Sequence, residues 1–136
     1  MKLLMIYAEK FAYQTRSKTL ETVEEYQEDK QIENVLAGFI QVEKEDEEKM
    51  DKVETKLIKN LKWAAKKNNT HCILLHSFAH LSLSKANPES TKKIFDNAEK
   101  RLKDSDYEVY QTPFGYFLDL DLRAPGKSLA RVFKEF

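Results

Sequence analysis

Three histidines, one cysteine and a cluster of serines are the first residues in this 136-residue chain that could do chemistry. His71, Cys72, His76 and His80 carry imidazole and thiol groups able to hold a metal. His76 and His80 are four apart, a spacing that suits a helical face, but they sit where an apolar strand gives way to a polar loop. Tetrahedral zinc takes its ligands from paired clusters, and this set has none. His80 suits either a ligand contact or a hydrogen-bonded structural imidazole. Ser77, Ser82 and Ser84 lie near His80, yet there is no G-x-S-x-G elbow and no acid placed to complete a triad. No glycine-rich phosphate loop is present. Asp119 and Asp121, two apart, read as the solvated side of a half-buried strand.

The elements that must position His80 can be read around it. His71–Ser77 is an apolar run with the character of a buried strand. It ends in the loop Phe78–Asn87, and Asn87-Pro88 starts a helix as N-cap and first helical residue. A buried strand ending in a polar loop before a helix is where α/β-type folds place ligands. Helix is expected over about 50–67, with Met50, Val53, Leu57, Leu61 and Ala64 as its apolar stripe, and again from Pro88 to about Lys103. Trp63, beside the first stripe, reads as a partly buried packing residue. Lys2–Ala8 predicts a central strand, with Phe11–Thr15 a second, shorter strand or hairpin arm. Lys18–Lys30 reads as a solvated loop or weak helix. Ile32–Val42 predicts a buried strand, in which Gly38 allows a bulge or a close approach. Glu43–Asp51 reads as a solvated acidic connection. Two further strands, Tyr107–Tyr110 and Tyr116–Leu122, flank the turn Thr112–Gly115. Beyond Ala124-Pro125-Gly126, Leu129, Val132 and Phe133 suggest a last helix. The sum is a single α+β (α/β-type) domain, a sheet covered by two to three helices.

Composition narrows the function classes. Twenty-three basic residues balance 23 acidic ones, so net charge does not argue for nucleic acid, although a basic patch on one face stays open. The single cysteine excludes an internal disulfide and fits a reducing, cytoplasmic setting. No apolar run reaches membrane-spanning length, and the apolar opening is too short for a signal peptide.

Four segments carry a resemblance. They are the opening Met1-Lys2-Leu3-Leu4-Met5-Ile6 running to Tyr13; Phe39-Ile40-Gln41-Val42-Glu43; Phe78-Ala79-His80-Leu81-Ser82; and Pro113-Phe114-Gly115-Tyr116, followed by Gly126 and Leu129-Ala130. In spacing and identity they resemble the archaeal N-terminal editing domain of threonyl-tRNA synthetase, which has the D-aminoacyl-tRNA deacylase type of fold. The resemblance runs over nearly the whole of residues 1–136, as one editing domain, either cut from a synthetase or free-standing.

The resemblance implies hydrolysis of L-serine mis-attached to tRNA(Thr). Water would be positioned by main-chain groups and assisted by the 2′-hydroxyl of the terminal adenosine. Carried over residue by residue, Val42, Ala79 and His80 would form the catalytic pocket through main-chain positioning. Phe114 and Phe117 would wall the adenosine side, Gly115 would permit close backbone approach, and Tyr116 would also contact substrate. The family's pocket lysine is Leu118 here, and its acidic residue in the last helix aligns with Arg131, so Arg131 could stand in for the lysine. The opening H-S-D of the family is Tyr7-Ala8-Glu9. These departures keep two alternatives open: a non-catalytic tRNA-binding or dimerisation module, and a D-aminoacyl-tRNA deacylase. The resemblance also implies a homodimer in contact with the tRNA acceptor end. It implies no cofactor for editing, since zinc and ATP would belong only to an attached synthetase body.

Overall fold

Seventeen residues of extended backbone, Lys2–Lys18 (β1), run through the middle of the sheet. In the computed structural model, which describes residues 1–136, this strand pairs antiparallel on one side with Asp29–Gln41 (β2). The expected short second strand Phe11–Thr15 is the far half of β1 itself. Its loop, residues 19–28, contains no helix. A 3-10 turn, Lys44–Glu48, leads into Met50–Lys67 (α1), then Cys72–Ser77 (β3), Pro88–Asp104 (α2) and Glu108–Gln111 (β4). Tyr116–Arg123 (β5) and Arg131–Glu135 (β6) both pair antiparallel with the second side of β1, at its far and near halves. The sheet order is β4-β3-β2-β1-β5, with β6 beside β5 along β1.

β2, β3 and β4 are parallel neighbours joined through α1 and α2. Two successive crossovers of the usual right hand, stepping the same way across a sheet, put both helices on one face. The main core follows: Leu3, Met5, Leu36, Ile40, Ile73 and Leu75 pack against Leu57, Leu61, Ile94 and Phe95. Gly38 is needed here, because a Cβ at that position would lie 2.9 Å from Leu61 Cδ2.

The other face has no helix, and the sheet covers it by curling. Strict alternation would put Phe11 and Ile32 on the helix side with Leu3 and Leu36. Instead they join Ala8, Val35 and Phe39 in a second cluster on the opposite face. The inversion falls where β1 and β2 skip the pairing of Glu9 with Asn34, and Asn34 has φ +50°. Asparagine tolerates that left-handed conformation better than most side chains.

Two expectations fail. The last segment is not a helix: Ser128–Ala130 makes one 3-10 turn and Arg131–Glu135 is a strand. Free backbone along the near half of β1 outweighs the weak apolar periodicity of Leu129, Val132 and Phe133. Nor is the acidic connection fully solvated, since Glu43 is 5% exposed and Asp46 0%. Both carboxylates meet the Met1 ammonium, at 2.8 and 3.0 Å. Buried charges are tolerable when paired in this way. Trp63 is 40% exposed, with the Lys134 ammonium 5.8 Å from its ring centre.

Leu61→Ala should lower the unfolding free energy by about 2–5 kcal/mol through the cavity it leaves. The check is a lower urea midpoint with an unchanged m-value.

Candidate functional site

β2 and β3 end side by side, and a pocket opens at their C-terminal ends. The last link between them is the Phe78 N–H donating to the Ile40 carbonyl at 3.0 Å. Beyond it the two chains diverge, leaving a pocket of about 410 Å³. Its walls come from Ile40–Val42, His76–His80, Lys85–Ala86, the start of α2, and Thr112–Leu118, with Thr19, Leu20 and Leu120 at the far side.

Eight of the nine residues singled out from the sequence line this one pocket: Val42, Ala79, His80, Phe114, Gly115, Tyr116, Phe117 and Leu118. Arg131 does not. It pairs with Ile6 in the sheet, whereas Leu118 pairs with Thr15. Those neighbours are nine residues apart along β1, roughly 30 Å of extended strand. The Arg131 guanidinium instead donates to the Pro125 carbonyl at 2.9 Å. It therefore does not stand in for a lysine at position 118.

The Ala79 and His80 peptide groups have no hydrogen-bond partner within the chain. The Val42 carbonyl, by contrast, already accepts from the Ala86 N–H at 3.0 Å. Phe114 meets Phe95 edge-on, with ring centres 6.4 Å apart, which fixes its plane. Phe117 is 55% exposed at the mouth. Alternation alone would separate Phe117 from Leu118. A register shift against β1, between Thr15 and Ser17, disturbs the pleat at this point, and both residues reach the pocket. Gly115 has φ +84°, and a Cβ there would lie 2.7 Å from Val23 Cγ1. The close approach expected of this glycine is thus made by the protein's own 19–28 loop, whose Thr19 N–H donates to the Gly115 carbonyl at 2.7 Å.

Sequence reasoning missed several wall residues. His76 is buried, and its Nδ1 is hydrogen-bonded to the Thr112 hydroxyl at 2.9 Å. Burial, helped by the nearby His80, lowers its pKa to about 4, so the ring is neutral at pH 7. Gln41, also buried, anchors the loop that follows His80. Lys85 is the one lysine on the wall, and no carboxylate or arginine lines the pocket. The β-type pattern of Phe39–Val42 could have pointed to Gln41 as a polar residue among buried neighbours. Lys85 carried no signal.

His71 immediately precedes β3 and His76 lies near its end, about 16 Å apart at the rise of an extended strand. Cys72 is buried in the second cluster, where burial pushes its thiol pKa up to about 11. The four candidate metal ligands therefore do not converge, and no group of three or more His, Cys, Asp or Glu side chains is placed to hold a metal ion. Asp119 and Asp121 are exposed and pair with Arg16 and Lys10 at 2.8 and 2.9 Å.

Chemically, the pocket offers hydroxyls, a neutral imidazole, unpaired peptide groups and aromatic walls. It lacks a nucleophile–base pair. Such a site can orient a bound ester and a water molecule through fixed dipoles.

The comparisons with known proteins agree with one another. A family model described as the archaea-specific editing domain of threonyl-tRNA synthetase matches residues 1–136. Threonine–tRNA ligases from Methanosphaera stadtmanae and Thermococcus gammatolerans are 35% and 34% identical over 135 residues. Each match covers 97% of this chain and 22% of the relative, so the chain spans about a fifth of their length. A solved structure, the c-Myc DNA unwinding element binding protein, superposes with TM-score 0.67 over 100% of this chain and 99% of that one. At 14% identity this shows a shared fold.

Two predictions follow from the geometry. Gly115→Ala should cost about 1–3 kcal/mol in thermal stability, since the alanine must hold a positive φ against Val23, and Val23→Ala should recover part of the loss. The second concerns acid. His76 is a base whose folded-state pKa lies below its unfolded value of 6.5, so its contribution is complete above pH 6.5 and is lost as pH falls toward 4. For Glu43, burial alone would raise the pKa, but hydrogen bonds from the amino terminus, Ser82 and Lys2 hold it at about 2. Its contribution is complete above pH 4.5 and is lost as pH falls toward 2. Denaturant titrations across pH should show both windows, the upper abolished by His76→Gln and the lower by Glu43→Gln.

Proposed function

The chain belongs to the archaea-specific editing-domain family of threonyl-tRNA synthetase, and from that premise we propose that it hydrolyses L-serine wrongly esterified to tRNA(Thr). The family's description supports a proofreading role on aminoacyl-tRNA. Residues 1–136 act as one editing domain, cytoplasmic and homodimeric, engaging the acceptor end of the tRNA without a cofactor.

The need for such a site is energetic. Serine lacks one methyl of threonine, and a missing methyl provides only about 1–3 kcal/mol of discrimination in a synthetic pocket. A second site that admits serine and excludes threonine by size supplies the rest.

The observation that carries the reading is a cavity of about 410 Å³ whose wall includes Ala79 and His80, residues with unpaired peptide groups, with no carboxylate and no nucleophile–base pair. A terminal adenosine would rest against Phe114 and Phe117, where aromatic faces suit base stacking. The Ala79 and His80 peptides, with Val42 opposite, would orient the ester and a water. The 2′-hydroxyl of the ribose would help position that water. Attack at the ester carbon breaks the bond to the 3′ oxygen and releases serine and tRNA with a free 3′-hydroxyl. Fixed dipoles facing the developing oxyanion lower the barrier without a charged side chain.

One observation favours a second reading, a tRNA-binding module without catalysis. Leu118 stands where the family's lysine would be, and Arg131 is remote from it. The two readings differ in a direct assay of matched seryl- and threonyl-tRNA(Thr), with 2′-deoxyadenosine-terminated controls carrying the ester on the 3′ oxygen. Editing predicts fast loss of serine, sparing of threonine, and a rate at least tenfold lower in the deoxy control. Loss of neither ester above the buffer rate, from folded protein, would leave the binding module. In an active parent, Phe117→Ala should raise KM severalfold.

A further inference from the structure

A primary amide has four hydrogen-bonding valences, two N–H donors and two acceptor lone pairs. Gln41 is 3% exposed and uses all four on one short loop. Its Nε2 donates to the Ser82 and Ser84 carbonyls at 2.8 and 2.9 Å. Its Oε1 accepts from the Leu81 and Ser82 N–H groups, both at 2.7 Å. Each partner is a main-chain group, so the amide replaces the sheet bonding that stops where β3 ends.

The neighbouring residues extend the attachment. Glu43 Oε2 accepts from the Ser82 hydroxyl at 2.7 Å, and that hydroxyl oxygen accepts from the Ser84 N–H at 3.1 Å. The Lys44 N–H donates to the Ser84 hydroxyl at 3.0 Å. Residues 81–84 are thus fastened to the end of β2 and the segment after it. The Ala79 and His80 peptides, left unpaired, lie between this fastening and the end of β3.

We propose that Gln41 is a positioning residue of the pocket, setting the Ala79 and His80 peptide groups through its four bonds to the 81–84 loop. The proposal rests on the deacylase reading for its catalytic consequence but not for its structural one. Peptide groups that orient a water and an ester must be placed closely, and a displacement near 1 Å costs on the order of a hundredfold in rate. Gln41→Met keeps the volume and loses all four bonds. Gln41→Glu keeps the shape and both N–H contacts, but sets a carboxylate oxygen against two carbonyls.

The test combines kinetics, amide exchange and binding on the parent, Q41M and Q41E, each first shown to be folded at the assay temperature. The expected result is a kcat for seryl-tRNA(Thr) lowered about a hundredfold in Q41M, with KM within threefold, because the Phe114 side is untouched. Hydrogen exchange at the Leu81 and Ser82 amides should accelerate at least tenfold in Q41M and less in Q41E. A binding probe is serine joined by an amide to 3′-amino-3′-deoxyadenosine, followed through the Ala79 and His80 amide resonances. Those resonances should respond to the probe in the parent and lose the response in Q41M.

Parent-like kcat together with parent-like exchange in both variants would overturn the proposal. If the parent cleaves no ester, the deacylase reading fails alone, and probe binding decides the positioning role. Loss of the Ala79 and His80 response in Q41M, with the probe still bound on the Phe114 side, supports it. The same response in Q41M as in the parent, or none in the parent, overturns it.

Discussion

A long strand in the middle of a sheet must satisfy its peptide groups along both edges. In this protein that constraint falls on β1. One edge is taken by β2 over nearly its whole length, and the other is shared by β6 and β5. The C-terminal segment becomes a strand because the near half of β1 has backbone to pair. The far half, curling with β2 past Glu9 and Asn34, covers a sheet face that no helix reaches. The Thr112–Gly115 turn leaves β4 beside the end of β3, where the Thr112 N–H donates to the Leu75 carbonyl at 3.1 Å, and the curl brings the start of β5 to the same pocket.

The pocket is built where sheet bonding runs out. β2 and β3 hold each other as far as Ile40 and Phe78, after which side chains continue the attachment. Gln41 and Glu43 do this with an amide and a carboxylate whose hydrogen bonds are well met. Burying such groups is tolerable because each finds partners, and an unsatisfied one would cost about 1–3 kcal/mol. The peptides left open are those of Ala79 and His80, on the pocket wall. A site made this way is fixed by the backbone more than by the chemistry of its side chains.

Electrostatics joins distant parts of the chain at the same place. The Met1 ammonium, Lys2, Glu43 and Asp46 form a compact group beneath the pocket loop. Glu43 reaches from that group to Ser82, so the near end of β1 and the loop after His80 share one carboxylate. In composition these acids were part of a run with no evident target. Their role depends on the amino terminus arriving beside them.

Both main helices, the caps Asn87-Pro88, the β2 and β3 strands and the Thr112–Gly115 turn were legible in the sequence. Each is a local matter of apolar period, capping and turn chemistry. The family was legible too, and with it the main pocket residues, because F-A-H-L-S and P-F-G-Y are short motifs at a fixed separation. Three things were not legible. The strand fate of Arg131–Glu135, the burial of Asp46, and the removal of Arg131 from the pocket each depend on what lies across the sheet. Gln41 belongs with them, since a glutamine in a strand gives no sign that four peptide groups will surround it. Sequence determined which segments could be helices, strands and turns, and which motifs they carry. Only the tertiary structure decided which backbone edges were free and which charges met, because pairing energies are set by neighbours that are remote along the chain.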